Sequence, residues 1–187
     1  MKIVLLGGPG AGKGTQAAKL KQHYEIPHVS TGEILREARS SGTDLGKKAA
    51  EYMDAGKLLP DDIILGIVDE RLGMPVMENG FIFDGFPRTI PQAEGLDELL
   101  EARGSALDAV VSIDVPDEIV VGRLLKRAEI EGRADDNRET IEERLSVYYK
   151  QTEPLKAYYE ARGILKSVDG LGTVEEILDR IKTVLGK

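Results

Sequence analysis

The sequence predicts an α/β fold in which a parallel β-sheet is covered by helices. Three observations lead there. Short apolar runs alternate with longer amphipathic stretches along the chain. The first run feeds straight into a glycine-rich loop that opens a helix, and two later helix starts carry capping residues. In order, Ile3-Val4-Leu5-Leu6 is the first strand, followed by the loop and a helix through Tyr24. Ile26 to Val29 reads as a second strand, Phe81-Ile82-Phe83 as a third, Val110 to Val115 as a fourth and Ile164 to Val168 as a fifth. Ser30-Thr31-Gly32-Glu33 and Thr173-Val174-Glu175-Glu176 read as capping boxes. The stretch 137–162 reads as helix with a kink or break at Pro154. The last helix, Thr173 to Leu185, has Val174, Ile177, Leu178, Ile181 and Leu185 on one face. Two segments interrupt the alternation. Residues 30–60 are helical, glycine-punctuated and lack a strand, and residues 128–138 are polar and read as a mobile loop. Both have the character of lids.

The chain has 187 residues, 41% hydrophobic and 31% charged, which suits one compact domain with insertions. Aromatic residues are few, so the core must rest on Leu, Ile, Val and Ala. A net charge of −8 argues against nonspecific nucleic-acid or anionic-membrane partners. Without cysteine there is no disulfide, thiolate metal site or cysteine nucleophile. His23 and His28 have no ligand spacing and read as surface or packing residues. The opening MKIVLLGG is too short for a secretory apolar region, and no apolar stretch approaches a membrane span, so the expectation is a cytoplasmic protein.

The strongest chemical signal is Gly7-Gly8-Pro9-Gly10-Ala11-Gly12-Lys13-Gly14-Thr15. A G-x-x-x-x-G-K run between a strand and a helix lets backbone N–H groups curl around phosphate oxygens. The helix N-terminus adds unpaired donors, and Lys13 adds a full charge for β- and γ-phosphates. The usual hydroxyl after the lysine is displaced by one, with Gly14 before Thr15. A second constellation is Phe81 to Thr89, where a buried strand ends in Asp84 and a tight turn presents Arg88. A strand-end carboxylate can orient magnesium-bound water, and an arginine can grip phosphate bidentately. Asp114, at the end of the fourth strand, is a rival carboxylate that these residues alone do not eliminate.

Taken together, GGPGAGKGT, STGEILR and FDGFPRT, in this order, closely resemble the adenylate kinases among the nucleoside monophosphate kinases. The resemblance continues through RLLKRAEIEGRADDNRETIEERL and covers nearly the whole chain; Gly14 before Thr15 is that family's own pattern. It implies a P-loop NTPase-type five-stranded parallel sheet in the order 2-3-1-4-5, with helices around it. The single domain would comprise a core (1–29, 60–125, 137–187), a helical NMP-binding insertion (30–59) and a short lid (126–136). The implied reaction is reversible transfer from MgATP to AMP, giving two ADP, with Mg2+ as cofactor and a monomeric enzyme. Gly10, Ala11, Gly12, Lys13, Gly14 and Thr15 would hold ATP phosphates, Arg127 would contact ATP, and Gly172 would lie against its base. Thr31, Arg36, Lys57, Leu58, Leu59, Gly85, Phe86, Pro87, Arg88 and Gln92 would hold AMP, with a cis Phe86–Pro87 peptide. Arg133 and Arg144 would contact AMP and the transferring group, and Asp84 would position magnesium through water.

The chemistry needs positioning and charge neutralisation more than proton transfer, because the acceptor phosphate is already ionised at neutral pH. Lys13, Arg88, Arg123, Arg127, Arg133 and Arg144 are therefore the expected catalytic cations, with Arg123 and Arg127 on one helix face. Asp135 and Asp136 are expected to pair with lid arginines on closure. A UMP/CMP kinase shares the loop and FDGFPR, but Gln92 offers an adenine edge both a donor and an acceptor. A nucleotide sensor would keep Lys13 without needing the arginines.

Overall fold

The computed structural model describes residues 1–132 and 136–186. Five strands, β1 (Lys2–Leu6), β2 (His28–Ser30), β3 (Phe81–Asp84), β4 (Ala109–Asp114) and β5 (Leu165–Asp169), form one sheet in the order β2-β3-β1-β4-β5. All four pairings are parallel, with Val4 opposite Phe83 on one side and Val110 on the other. The strand order and the parallel sense agree with the sequence reading.

Side-chain alternation along the strands builds a core on each face. Val4, Leu6, Phe81, Phe83 and Val110 point into one cluster; Ile3, Leu5, Ile82, Val111 and Ile113 point into the other. The second is closed by α1 (Lys13–Tyr24) through Ala17 and Leu20, and by α9 (Val174–Leu185) through Ile177 and Ile181. The first is closed by α4 (Asp61–Leu72), α5 (Ile90–Glu101) and α8 (Leu155–Glu160), which contribute Val68, Leu96, Leu100, Leu155 and Tyr159. Helices α2 (Thr31–Ser40) and α3 (Asp44–Asp54) follow β2 directly and pack on one another. Helices α6 (Asp117–Glu131) and α7 (Arg138–Val147) follow β4. No helix among the described residues is long and apolar enough to cross a membrane.

Four expectations need correction. The second strand begins at His28, not Ile26. Pro27 has no N–H to donate, and its carbonyl accepts from Ile82 N–H (2.8 Å), while Ile26 is buried against the α1 side. The polar stretch from 128 is helical through Glu131, ending at Gly132 in a left-handed C-cap (φ 64°); 133–135 lie outside the described residues. The stretch 137–162 is broken before the proline as well as at it: α7 passes into a π-helical turn, Tyr148–Thr152, and α8 starts after Pro154. At Thr173 the capping box is complete, whereas at Ser30 the structure shows the hydroxyl accepting from Glu33 N–H (3.3 Å), with the Glu33 side chain turned to the cleft.

Leu100 is buried to 1% exposure on α5 and lines no part of the cleft. Leu100→Ala should cost about 2–5 kcal/mol in urea unfolding, with kcat at 25 °C unchanged.

Candidate active site

The cleft opens at the carboxyl edge of the sheet, where the chain leaving the central β1 passes to β2 and β3 on one side and the chain leaving β3 crosses to β4 on the other. That is where open parallel sheets present ligand sites. It has a volume of about 1030 Å³, and a smaller pocket of about 80 Å³ adjoins it under α2.

The loop after β1 forms the floor. Gly10 has φ +80°, and a Cβ there would come within 2.9 Å of Leu124 and 3.1 Å of the Val120 carbonyl oxygen, so only glycine lets the loop lie against α6. Gly12 is the N-cap of α1 and, having no side chain, supplies no cap, which leaves the first amides of α1 directed at the cleft. Lys13 Nζ donates to the Gly7 and Gly8 carbonyls, each at 2.9 Å, and holds the arch closed. Burial, together with the charges of Arg88, Arg144 and Arg127, pulls its pKa down to about 8 against the opposing pull of Asp84.

The end of β3 supplies the opposite charge. Asp84 sits beside Gly14: a Cβ at that glycine would lie 3.4 Å from Asp84 Oδ2. Burial favours the neutral acid, but His28, Lys13 and Arg88 outweigh it and hold the carboxyl below its ordinary range. His28 Nε2 lies 3.8 Å from Asp84 Oδ2, beyond hydrogen-bonding distance but close enough for charge to be felt. The rival Asp114 is tied to Lys156 (2.7 Å) and Ser112 (2.8 Å) and does not line the cleft.

After Asp84 the chain turns sharply. Gly85 has φ +78°, and a Cβ would meet Arg88 at 3.0 Å and Thr31 Oγ1 at 3.1 Å. The Phe86–Pro87 peptide is cis. The Gly85 carbonyl accepts from Thr31 Oγ1 and from Arg88 Nε, both at 2.8 Å. Gln92 Oε1 accepts from Arg88 N–H at 2.8 Å. Burial and the neighbouring Arg144 and Arg36 pull Arg88 down to about 10, with Asp84 opposing.

Arg127 on α6 and Arg144 on α7 reach the same cleft, fixed by one carboxylate. Asp136, at 0% exposure, accepts from Arg127 Nε (2.6 Å) and Nη2 (2.8 Å) and from Arg144 Nη1 (2.6 Å). Arg123 Nη2 donates to the Gly170 carbonyl (3.2 Å) beside Gly172, at the far end of the cleft.

Most of the residues expected from sequence converge here. Gly10 to Thr15, Asp84, Gly85, Pro87, Arg88, Arg123, Arg127, Arg144 and Gly172 line the cleft. Thr31, Lys57, Leu58, Leu59 and Gln92 line the adjoining pocket, and Arg36 lines both. Three residues differ from expectation. Phe86 turns into the core edge-on to Phe83 (5.7 Å) and lines neither space. Gln92, 2% exposed, uses its amide internally, with Nε2 donating to Asp61 Oδ1 (2.8 Å), so part of its capacity to read a base is already committed. His28 is no bland packing residue, because it faces the Asp84 carboxylate. Arg133 and Asp135 lie outside the described residues, while Asp136 makes the arginine pairing expected of it.

Comparison with known proteins agrees with this arrangement. The family model described as Adenylate kinase matches residues 5–164. Adenylate kinase from Xanthomonas campestris is 51% identical over 187 residues, covering all of both chains. Adenylate kinase from Thermus thermophilus is 53% identical over 184 residues, covering 98% of this chain and 96% of the relative. With matches spanning the glycine-rich loop, the Asp84–Arg88 turn and both arginine-bearing helices, the chain belongs to the adenylate kinase family.

Proposed function

We infer that this enzyme transfers the terminal phosphoryl group of ATP directly to AMP, reversibly, giving two ADP. One observation carries the reading: Lys13, Arg88, Arg127 and Arg144 face a single cleft, which Asp84 lines beside Gly14 and whose Arg127 and Arg144 are paired with the buried Asp136. Such crowding of like charge in a low-dielectric site favours the entry of polyanions, and two anionic nucleotides end to end supply the countercharge.

In this proposal the amides of residues 10–15 and the Lys13 ammonium cradle the donor's phosphates, and Gly172 flanks its base, with Arg123, expected among the catalytic cations, tied to the Gly170 carbonyl on that side. The adjoining pocket takes AMP, with Arg88 and Arg36 on its phosphate and Thr31, Lys57 to Leu59 and Gln92 around its nucleoside. Arg127 and Arg144, bridged by Asp136, meet the charge that spreads over the transferring group, and Arg133 is assigned to the same set. No general base is needed, because the attacking phosphate oxygen is ionised, and an Asp84 already held anionic is a poor proton acceptor at neutral pH. Magnesium bound with ATP would neutralise the charge on the phosphates. Asp84 fits it through water, since it is ionised and lines the cleft beside Gly14, and one carboxylate leaves the remaining ligands to phosphate and solvent. The helical segment 30–59 and the segment 126–136 would close over the two substrates and exclude water, the competing acceptor. We also place it in the cytoplasm as a monomer, in keeping with the family the sequence resembles.

Incubated with magnesium and ADP alone, the protein should form ATP and AMP; no formation of either would reject phosphoryl transfer. In a panel of monophosphate acceptors AMP should lead, and preference for CMP or UMP would assign a pyrimidine kinase. Lys13→Met should lower kcat by about 10²–10³-fold, with an unchanged circular dichroism spectrum.

Lys13 also sets a pH dependence. In the empty cleft its pKa is about 8 against an ordinary 10.5. Below that value the buried ammonium costs stability, and the cost is relieved as pH rises through the window between the two values. A bound polyphosphate favours the ammonium and raises its pKa, so triphosphate affinity should fall as pH rises above about 8. Calorimetry of magnesium-free ATP should show that fall in the wild type and not in Lys13→Met.

A further inference from the structure

The π-helical turn Tyr148–Thr152 is defined by Glu153 N–H reaching back five residues to the Tyr148 carbonyl (2.9 Å). Its cause is local. In a regular α-helix the ring of Pro154 would collide with the carbonyl four residues earlier, and widening the preceding turn avoids that. The wide turn leaves Thr152 7% exposed on the cleft wall, and its Oγ1 donates to the Arg88 carbonyl at 2.8 Å. The two residues are 64 apart in sequence.

We propose that Thr152 is a positioning residue for Arg88, setting that guanidinium against the arginines of α6 and α7. The proposal rests on Arg88 acting on the acceptor phosphate. Arg88 is held at three points: its N–H by Gln92, its Nε by the Gly85 carbonyl, and its own carbonyl by Thr152. The first two anchors lie within the 85–92 stretch and move with it. The third ties that stretch to the chain running on from α7, the helix that carries Arg144. Arg144 lies close enough to Arg88 for its charge to be felt there, while Asp136 pairs with Arg127 and Arg144. Two cations that repel must be fixed from behind, through their backbones, if both are to meet one phosphoryl group. Loss of the Thr152 hydroxyl takes the donor from the part-buried Arg88 carbonyl and removes its tie to the segment that follows Arg144, and small misplacements of this kind are costly in rate.

The test compares Thr152→Val, which keeps the shape and loses the hydroxyl, with Thr152→Ser, which keeps the hydroxyl. Thr152→Val should lower kcat about tenfold or more and raise KM for AMP, leaving KM for MgATP unchanged. Thr152→Ser should restore both constants. By calorimetry, Thr152→Val should weaken AMP binding in the wild-type background and have no further effect in an Arg88→Ala background. The proposal is overturned if Thr152→Val behaves as wild type, if both substrates lose equally, or if the loss persists in the Arg88→Ala background. Should the valine variant unfold, Thr152→Ala studied below its unfolding midpoint gives the same contrast. A wild-type protein that makes no ATP from ADP would instead sink the kinase reading, so the two failures are distinguishable.

Discussion

Repulsion among crowded, half-buried cations is the constraint on which the site depends. Lys13, Arg88, Arg127 and Arg144 share one cleft, and their mutual field, added to burial, depresses Lys13 and Arg88 well below their ordinary proton affinities. Such a cluster does not stay in place unaided. Each member is tied to a backbone carbonyl or a carboxylate: Lys13 to Gly7 and Gly8, Arg88 to Gly85, Arg127 and Arg144 to Asp136. The chain thus holds a preorganised positive site inside a protein whose overall charge is −8. Preorganisation matters because charge that needs no rearrangement stabilises a transition state most effectively.

The sheet is what makes the ties rigid. Its central strands are buried on both faces, so the ends of β1 and β3 cannot shift relative to one another without disrupting two cores. The floor loop leaves β1 and the Asp84–Arg88 turn leaves β3, and these neighbours are in register from Lys2–Phe81 to Leu5–Asp84. Lys13 and Asp84 are therefore brought together by strand pairing, which is stiffer than any loop contact.

Much of this was legible in the sequence where the signal is local. The glycine-rich loop carries its own geometry in its glycines, and the buried strands show as apolar runs. What stayed hidden depends on long-range pairing. His28 meets Asp84 because Ser30 pairs with Asp84 and His28 with Ile82, a register that no motif encodes. Gln92 looked free to read a base, but its amide lies between Arg88, four residues back, and Asp61 on another helix. The end of α6 read as loop because it is mostly polar; even Ile130 there is 73% exposed, so no buried face announces that the helix runs on to its Gly132 cap. The Ile26 error is of the opposite kind, an apolar residue that packs on the core from outside the ladder.

Asp136 has a consequence for how this architecture can vary. It clamps Arg127 and Arg144, which stand on two successive helices, so the spacing of the arginines is fixed at the clamp and not by the covalent path joining α6 to α7. Closing a longer connection adds little entropic cost. A change of length between α6 and α7 would then leave the paired guanidinium groups in place as long as the shared carboxylate stays between them.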